Sequence, residues 1–532
     1  MIFDQIIRKA TITMAAGAAF AMVSCQDTRQ RSQEETPQER PNIVVIMTDD
    51  HATQAISSYG SDLVQTPHID ELAGEGMLFN QATITNSICA PSRAVLLTGK
   101  HSHLNGVATN KARFDSSQMT FPKVLQDQGY QTAIIGKWHL KSQPTGFDHW
   151  NVLPGQGHYY NPAFIKEGKD TAYQGYVTDI ITDLSKEWIE QRDSRKPFLL
   201  MMHHKAPHRN WMPALSLLDT LDERKFPVPE TFYDSYQGRP HLEHQKLTVA
   251  HHLDYQYDLK IPCDTCPVAP INSWAPYYYN LAMNRLTEEQ REKWFEGYND
   301  DIEYFRNTQL DGRELDEWKY QRYMEDYLRC IVSVDRSIGR LMDYLEANGL
   351  DENTLVVYTS DQGFFLGEHG LFDKRYMYEE SFRTPLIMKY PEQIPSGKRS
   401  DKLVQNLDIA PTLLDFAGAD VPGAMQGRSM RPLLTGRYDK EWRDAVYYHF
   451  SEKGWGVASH YGVRTDRYKL IHFYDPVDQW ELYDLKEDPL ELVNLYDNPE
   501  YQDVVKRLKK KLRQLQTKYN DPVTTETTEE EI

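Results

Sequence analysis

The sequence predicts an α/β fold: a large domain with a mainly parallel central sheet flanked by helices, then a smaller C-terminal domain with an antiparallel sheet and a helix. Three observations carry this. Apolar, β-branched runs end abruptly in polar clusters; helical patterns separate those runs; and after Arg437 the chain turns to short aromatic segments spaced by turn residues.

The first run, Asn42 to Thr48 (NIVVIMT), ends in Asp49, Asp50 and His51. The second starts at Gln131 (QTAII) and ends in Gly136, Lys137, Trp138 and His139. The third starts at Phe198 (FLLMM) and ends in His203, His204, Lys205, Ala206, Pro207 and His208; the fourth starts at Leu355 (LVVYTS) and ends in Asp361, Gln362 and Gly363. Unbroken runs of this length suit strands buried on both faces. Between them lie helical patterns, one starting at Val177 (VTDIITDLSKEWIEQ) and one in which Tyr327, Ile331, Val334, Ile338, Leu341 and Leu345 recur at helical spacing. Cys330, in that second pattern, reads as a small buried hydrophobe. Alternating strands and helices give parallel sheets, whose sites form beyond the carboxyl ends of the strands. One pocket would therefore gather all four clusters.

In the C-terminal part, the stretches at Tyr447 (YYHF), Tyr461 (YGVRTDRYKLIHFY) and Trp480 (WELYDL) read as a small antiparallel sheet. A helix follows, with Val505, Leu508, Leu512 and Leu515 on one face and Lys506, Arg507, Lys509, Lys510, Lys511 and Arg513 around them. The basic run is read as a solvated helix face rather than a polyanion site. The expected boundaries are a large α/β domain at 41–437, a C-terminal subdomain at 438–520 and a disordered tail at 521–532.

At the N-terminus, Arg8 and Lys9 precede an apolar run too short to span a bilayer, and Ser24-Cys25 follow where a signal is cut. Residues 1–24 resemble a bacterial lipoprotein signal peptide, with Cys25 as the lipid-bearing residue; Met22 stands where leucine is more usual, which keeps plain secretion as the alternative. Residues 25–40 read as a polar tether, so the chain is expected at a membrane, facing the periplasm or surface of a Gram-negative-type bacterium. The net charge of −19 excludes nucleic-acid binding by general attraction. An anionic substrate would need a local pocket that overcomes this field.

The segment Cys89-Ala90-Pro91-Ser92-Arg93 by itself leaves a nucleophilic thiol, a metal ligand, a disulfide half and a modification site open. Read with Asp49-Asp50, Leu97-Thr98-Gly99-Lys100, Gly136-Lys137-Trp138-His139-Leu140 and Ser360-Asp361-Gln362-Gly363, it resembles the type I sulfatases of the alkaline-phosphatase-like superfamily. The resemblance continues through Thr66-PHIDELAGEGMLF, Gly367-EHGLFDKR and Leu407-DIAPTLLDFAG, covering roughly residues 41 to 500.

That resemblance implies that a maturing enzyme oxidises Cys89 to formylglycine. An unmodified cysteine would form an S-sulfonated enzyme with no second hydroxyl to expel sulfate, whereas the hydrated aldehyde has two: one attacks sulfur, and deprotonation of the other releases sulfate. It further implies that Asp49, Asp50, Asp361 and Gln362, with the residue at Cys89, hold one metal ion; hard oxygen ligands suit Ca²⁺ better than Zn²⁺. Arg93 would stabilise the ionised hydrate, and Lys137 and Lys374 would offset sulfate charge. His139 would act as base, and His208, with Lys374, would protonate the leaving oxygen.

The segment from His204 to Trp211 resembles bacterial sulfatases acting on N-acetylglucosamine 6-sulfate, with Arg383 and His460 as candidate sugar contacts. The expected activity is exo-acting removal of that 6-sulfate from heparan-, keratan- or mucin-type glycans. The alternatives are a sulfatase for another position or for aryl sulfates, a phosphodiesterase or phosphonate hydrolase of the same superfamily, and a silent lipoprotein that binds sulfated glycans. His241, His244, His251, His252, Cys263 and Cys266 invite a zinc reading, but their order reverses that of the familiar finger. A local disulfide, or two unpaired cysteines, in a Tyr- and Pro-rich insertion at 210–320 fits better.

Overall fold

Buried apolar strands need partners on both edges, and the chain supplies ten in one sheet. In the computed structural model, which describes residues 40–263, 265–437 and 441–525, these are β1 (Asn42–Thr48), β2 (Met77–Phe79), β3 (Gln131–Lys137), β4 (His149–Leu153), β5 (Ala163–Lys166), β6 (Lys169–Ala172), β7 (Phe198–His203), β8 (Thr354–Ser360), β9 (Leu386–Lys389) and β10 (Lys398–Ser400). Their spatial order is β10-β2-β9-β8-β1-β7-β3-β4-β5-β6. The central strands β8, β1, β7, β3 and β4 all run parallel, and the antiparallel pairs lie toward the edges. All four apolar runs read from the sequence are thus central strands, and their carboxyl ends emerge along one edge.

Helices cover both faces. The labelled ones are α1 (Pro67–Glu75), α2 (Cys89–Thr98), α3 (Phe121–Asp127), α4 (Val177–Gln191), α5 (Glu288–Asn307), α6 (Gly312–Ala347), α7 (Ile409–Phe416) and α8 (Gln502–Tyr519). On one face, α4 and α6 bury Ile181 and Ile338 against Val44, Leu200 and Val356; on the other, α2, α3 and α7 bury Leu96, Leu125 and Leu413 against Val45, Ile134 and Met201. The alternate residues of β1 serve opposite cores, as a doubly covered parallel strand requires. Cys330 is fully buried in α6, as its spacing indicated.

The C-terminal sheet is β11 (Ala445–Phe450), β12 (Ser459–Thr465), β13 (Tyr468–Asp475) and β14 (Gln479–Asp484), antiparallel throughout. One face packs on α8 through Val505, Leu508 and Leu512; the other joins Ile84, Ile88 and Tyr376. Residues from Arg40 onward form one compact unit. Residues 521–532 were expected to be disordered; Asp521 is instead buried and Pro522–Thr525 form a further helical turn, while residues 526–532 lie outside the described residues. No helix among the described residues is long and apolar enough to cross a membrane. The signal segment 1–24, Cys25 and the tether up to Glu39 lie outside the described residues.

Candidate active site

Successive residues of a strand point to opposite faces, so Asp49 and Asp50 share a site only if the backbone breaks that alternation. It does: Asp50 has φ 70. The unusual conformation is held by Tyr327, whose hydroxyl donates to the Asp50 carbonyl (2.7 Å), and by Asp361 Oδ1, which accepts from the Asp50 amide (3.2 Å). At the end of β3, Gly136 has φ 106, and a Cβ there would lie 1.9 Å from the His203 carbonyl oxygen. Only glycine lets β3 approach β7 this closely and still deliver Lys137.

Cys89 opens α2 beneath these strand ends. Its Sγ lies 3.4 Å from Asp49 Oδ1 and 3.7 Å from Gln362 Nε2. The first turn of α2 has no side-chain cap of its own; instead Asn110 Oδ1 accepts from the Ala90 amide at 2.9 Å. One turn on, Arg93 donates Nε to Asp361 Oδ2 (3.0 Å) and Nη1 to the Lys137 carbonyl (2.8 Å). Lys137 Nζ bonds Asp49 Oδ2, and Lys374 Nζ bonds both oxygens of Asp50 at 2.7 and 2.6 Å. His208 Nε2 lies 3.9 Å from Asp50 Oδ2.

The donor atoms of Asp49, Asp50 and Asp361 all fall within 4.8 Å of one another, and all three residues are fully buried. Three carboxylates so close need cationic compensation. Burial, with Asp49 nearby, raises Asp361; burial raises Asp50, with Lys374 opposing and Asp49 adding. Burial would raise Asp49 too, but Lys137, His208, Arg93 and Lys374 hold it well below the carboxylate range. Gln362 Oε1 is buried without a hydrogen-bond partner. Three carboxylates and an orphaned amide oxygen form a hard-oxygen donor set for a divalent cation. These residues fit a metal.

Burial, reinforced by Asp49, pushes the Cys89 thiol far up. It stays protonated at neutral pH, so the unmodified side chain is a poor nucleophile. Burial and Lys137 hold His139 well below its ordinary value; burial holds His208 there as well, despite Asp49. Both imidazoles are neutral and able to take a proton.

His139 and His208 line a cavity of about 890 Å³, within the size range of small-ligand pockets. Its walls include Trp138, Arg113 and, from the insertion, Tyr257, Trp274 and Tyr278. His208 also lies with Asp49 and Cys89 in a second set of donor atoms within 4.8 Å of one another, linking the cavity to Cys89.

Ten of the site residues read from the sequence, Asp49, Asp50, Cys89, Arg93, Lys137, His139, His208, Asp361, Gln362 and Lys374, meet in this one place. His460 does not. It is fully buried among Tyr376, Tyr448, Phe450 and Phe473, with Nδ1 on the Ala458 carbonyl, so it is a core ring rather than a sugar contact. The Arg383 guanidinium turns away to the Asn80 carbonyl (3.0 Å), and Arg383 is absent from the cavity lining. Cys263 and Cys266 form a disulfide, His241 is buried on Glu481, and His244 and His251 are exposed; no zinc cluster forms from them among the described residues.

The sequence reading missed several participants. Lys205, within the quoted His-rich cluster, faces the cavity over the Tyr159 ring and is pushed down to about 7 by burial and Lys137. Arg209 is held by Asp258 (Nε to Oδ1 2.7 Å) with its guanidinium over Trp274, Tyr257 and Trp455. Arg375 binds Glu452, which in turn accepts from the Asn110 amide. Their partners lie up to hundreds of residues away, so local sequence carried no signal for the pairing.

This fold and this site define a sulfuric ester hydrolase: the chain belongs to the sulfatase family, within the alkaline-phosphatase-like superfamily, and the family's model matches residues 41–419. A second model, the C-terminal region of N-sulphoglucosamine sulphohydrolase, matches residues 367–518. Among individual proteins, the chain is 47% identical over 520 residues to an N-acetylglucosamine-6-O-sulfatase of Bacteroides thetaiotaomicron, covering 96% of this chain and 92% of that one. It is 27% identical over 447 residues to the human N-acetylglucosamine-6-sulfatase, covering 79% and 69%. The solved structure of BT4656 in complex with its substrate D-glucosamine-2-N,6-O-disulfate superposes with a TM-score of 0.88 at 46% identity, covering 92% of this chain and 100% of that one.

Proposed function

We propose that the protein is an exo-acting carbohydrate sulfatase that hydrolyses the 6-O-sulfate ester of N-acetylglucosamine in sulfated glycans, using formylglycine made from Cys89 and one Ca²⁺ held by Asp49, Asp50, Asp361 and Gln362. The observation that carries it is Cys89 itself: a buried thiol kept protonated, set between Asp49 and Gln362 and linked through His208 to a sugar-sized cavity. The names of the two N-acetylglucosamine sulfatases and the disulfated glucosamine bound by the structural relative support the substrate.

Ca²⁺, when bound, supplies Lewis-acid polarisation of a sulfate oxygen, and the hydrated aldehyde supplies the two hydroxyls that sulfuryl transfer and release require. The residues of the chain do the rest. Arg93, fixed by Asp361 and the Lys137 carbonyl, orients the side chain at position 89 and offsets negative charge on it. Lys137 and Lys374 lie on Asp49 and Asp50 and can turn their charge to the sulfate. His139, neutral and lining the cavity, is the base that takes a proton as sulfate leaves. His208, neutral in the free site, is to take up a proton when the sulfate ester binds and, with Lys374, to pass it to the departing sugar oxygen. The aromatic wall of Trp138, Tyr257 and Trp274 offers apolar faces for a pyranose ring.

The proposal includes export as a lipoprotein anchored through Cys25, facing the periplasm or cell surface, and maturation by a formylglycine-generating enzyme. The basic and apolar run before Ser24-Cys25 and the polar tether support the first of these. Sulfate release is measured with matured protein on N-acetylglucosamine 6-sulfate, its 3-sulfate, 6-sulfated N-acetylgalactosamine and an aryl sulfate, with Cys89→Ala alongside. Selective turnover of the glucosamine 6-sulfate, abolished in the variant, is expected. Turnover of another member alone sinks the substrate assignment; no turnover despite formylglycine at position 89 by mass spectrometry overturns the activity on these esters.

A further inference from the structure

The ring of His208 is held from behind. Its Nδ1 lies 2.5 Å from the Arg209 carbonyl oxygen. A carbonyl can only accept, and a neutral imidazole has one N–H, so that N–H belongs to Nδ1. Nε2 keeps its lone pair and is the nitrogen that faces the sulfate centre, 3.9 Å from Asp50 Oδ2. The bond that one ring nitrogen makes sets the tautomer and aims the other. For His208 that bond is the one to the Arg209 carbonyl.

The carbonyl is itself fixed from a distant part of the chain. The Arg209 guanidinium forks onto Asp258, Nε donating to Oδ1 at 2.7 Å and Nη2 to Oδ2. Asp258 is fully buried, and its Oδ2 also accepts from the Asp254 amide (2.7 Å). One residue past Arg209, the Asn210 carbonyl accepts from Lys260 Nζ at 2.6 Å; the same ammonium donates to the Asp258 carbonyl (2.7 Å) and pairs with Asp326 Oδ2 (3.2 Å). On the other side, the Tyr159 hydroxyl donates to the His208 carbonyl at 2.6 Å, and the His208 amide donates to the Lys205 carbonyl at 3.1 Å. Tyr257, Trp274, Phe372 and Trp455 surround the guanidinium, with ring centroids 5.0 to 5.8 Å from Cζ. Desolvation offsets much of what so buried an ion pair gains in attraction. Direction remains, because two parallel bonds fix a planar group in angle as well as in distance.

We propose that Arg209 and Asp258 are positioning residues for proton transfer: their fork fixes the Arg209 carbonyl, and that carbonyl holds His208 with Nε2 turned to the leaving oxygen, a role that rests on His208 being the acid of the proposed reaction. As the S–O bond breaks, the sugar oxygen keeps the electron pair and takes the proton from Nε2, and the ring returns to its Nδ1–H form. The Nδ1–H bond to the carbonyl is kept throughout. The segment 210–320 thereby gains a task in the chemistry, because Asp258, Lys260 and Trp274 reach the acid from behind.

The test compares the matured full chain with Asp258→Asn, Arg209→Met and His208→Ala on N-acetylglucosamine 6-sulfate and on a nitrophenyl sulfate, whose phenolate leaves without a proton. Asp258→Asn and Arg209→Met should lower kcat on the sugar ester by about 10–100-fold, part of what a general acid contributes, with KM little changed and a much smaller loss on the nitrophenyl ester. In a proton–nitrogen correlation spectrum of histidine-labelled protein, with the His208 signal identified by its loss in His208→Ala, the wild-type chain should show the Nδ1–H tautomer and Asp258→Asn a mixture. Should a variant fold poorly or the nitrophenyl ester not turn over, the wild-type tautomer and the kcat and KM of the remaining variant decide. An Nε2–H tautomer in the wild-type chain overturns the positioning role. So does equal loss on both esters in the two anchor variants, or a change confined to KM. His208→Ala separates this role from the assignment beneath it: equal loss on both esters there removes His208 as the acid and overturns both, whereas a loss selective for the sugar ester that the anchor variants do not share overturns the positioning role alone.

Discussion

Lys205 shows how much a single side chain can depend on its surroundings. Its ammonium, pushed down to about 7 by burial and Lys137, is charged below that pH and neutral above it. Because kcat/KM reports the free enzyme, its value on a sulfated sugar should fall as pH rises through about 7. Lys205→Met should remove that alkaline limb and lower the plateau by roughly 10–100-fold, the worth of one charge-assisted hydrogen bond. A limb that persists unchanged in the variant assigns the titration elsewhere. The three buried carboxylates give a second expectation, this one for metal removal. Asp50 and Asp361 are raised by burial, with Asp49 adding, so without a cation the folded state binds their protons more tightly than the unfolded state does. Their contribution to stability therefore declines as pH climbs above the ordinary carboxylate range, near 4. A bound divalent cation removes the need for those protons. The gap in thermal stability between cation-loaded and chelated protein should widen as pH rises from about 4, reaching about 2.7 kcal/mol at a cation concentration 100 times Kd; a gap independent of pH would contradict the carboxylate assignment.

Elements set the reach of these residues. The β3–β7 pair depends on Gly136, where an added Cβ would meet the His203 carbonyl at 1.9 Å on a backbone with φ 106. Gly136→Ala should cost about 1–3 kcal/mol in denaturant unfolding and suppress sulfate release, because Lys137 and His139 follow directly. Gly74→Ala is the contrast: this glycine sits inside α1 with nothing within 4 Å of an added Cβ. It should be neutral or stabilising by about 0.5–1 kcal/mol.

At the scale of the whole molecule, the C-terminal sheet supports the segment that leads into Cys89. Val446, Tyr448, Phe450 and Phe473 share a core with Ile84 and Ile88, immediately before Cys89. The His449 amide donates to the Thr85 carbonyl (3.1 Å), and the Tyr448 hydroxyl accepts from the Ser87 amide (3.3 Å) while donating to the Arg375 carbonyl (3.0 Å). A chain ending at residue 440 should lose its near-UV circular dichroism and all sulfate release, since the apolar face beneath α2 would open to water. A soluble, active fragment would show that the sheet only covers the site from outside.

The sequence by itself determined the central strands, the helical cover, the C-terminal sheet and the strand-end residues of the site, whereas Cys89, Arg93 and Lys374 were implied by the resemblance to the sulfatases. Apolar runs buried on both faces and abrupt polar ends are local patterns, and the parallel order forces those ends to one edge. Only the tertiary structure decided partners. His460 resembled a sugar contact until four aromatic rings enclosed it, and Arg383 until its guanidinium met Asn80. Lys205, Arg209 and Arg375 acquired roles from Tyr159, Asp258 and Glu452, and His103 met Tyr519 across 416 positions of chain. The periodicity of a strand or helix records which face is buried; it holds nothing about which distant side chain waits on the other side.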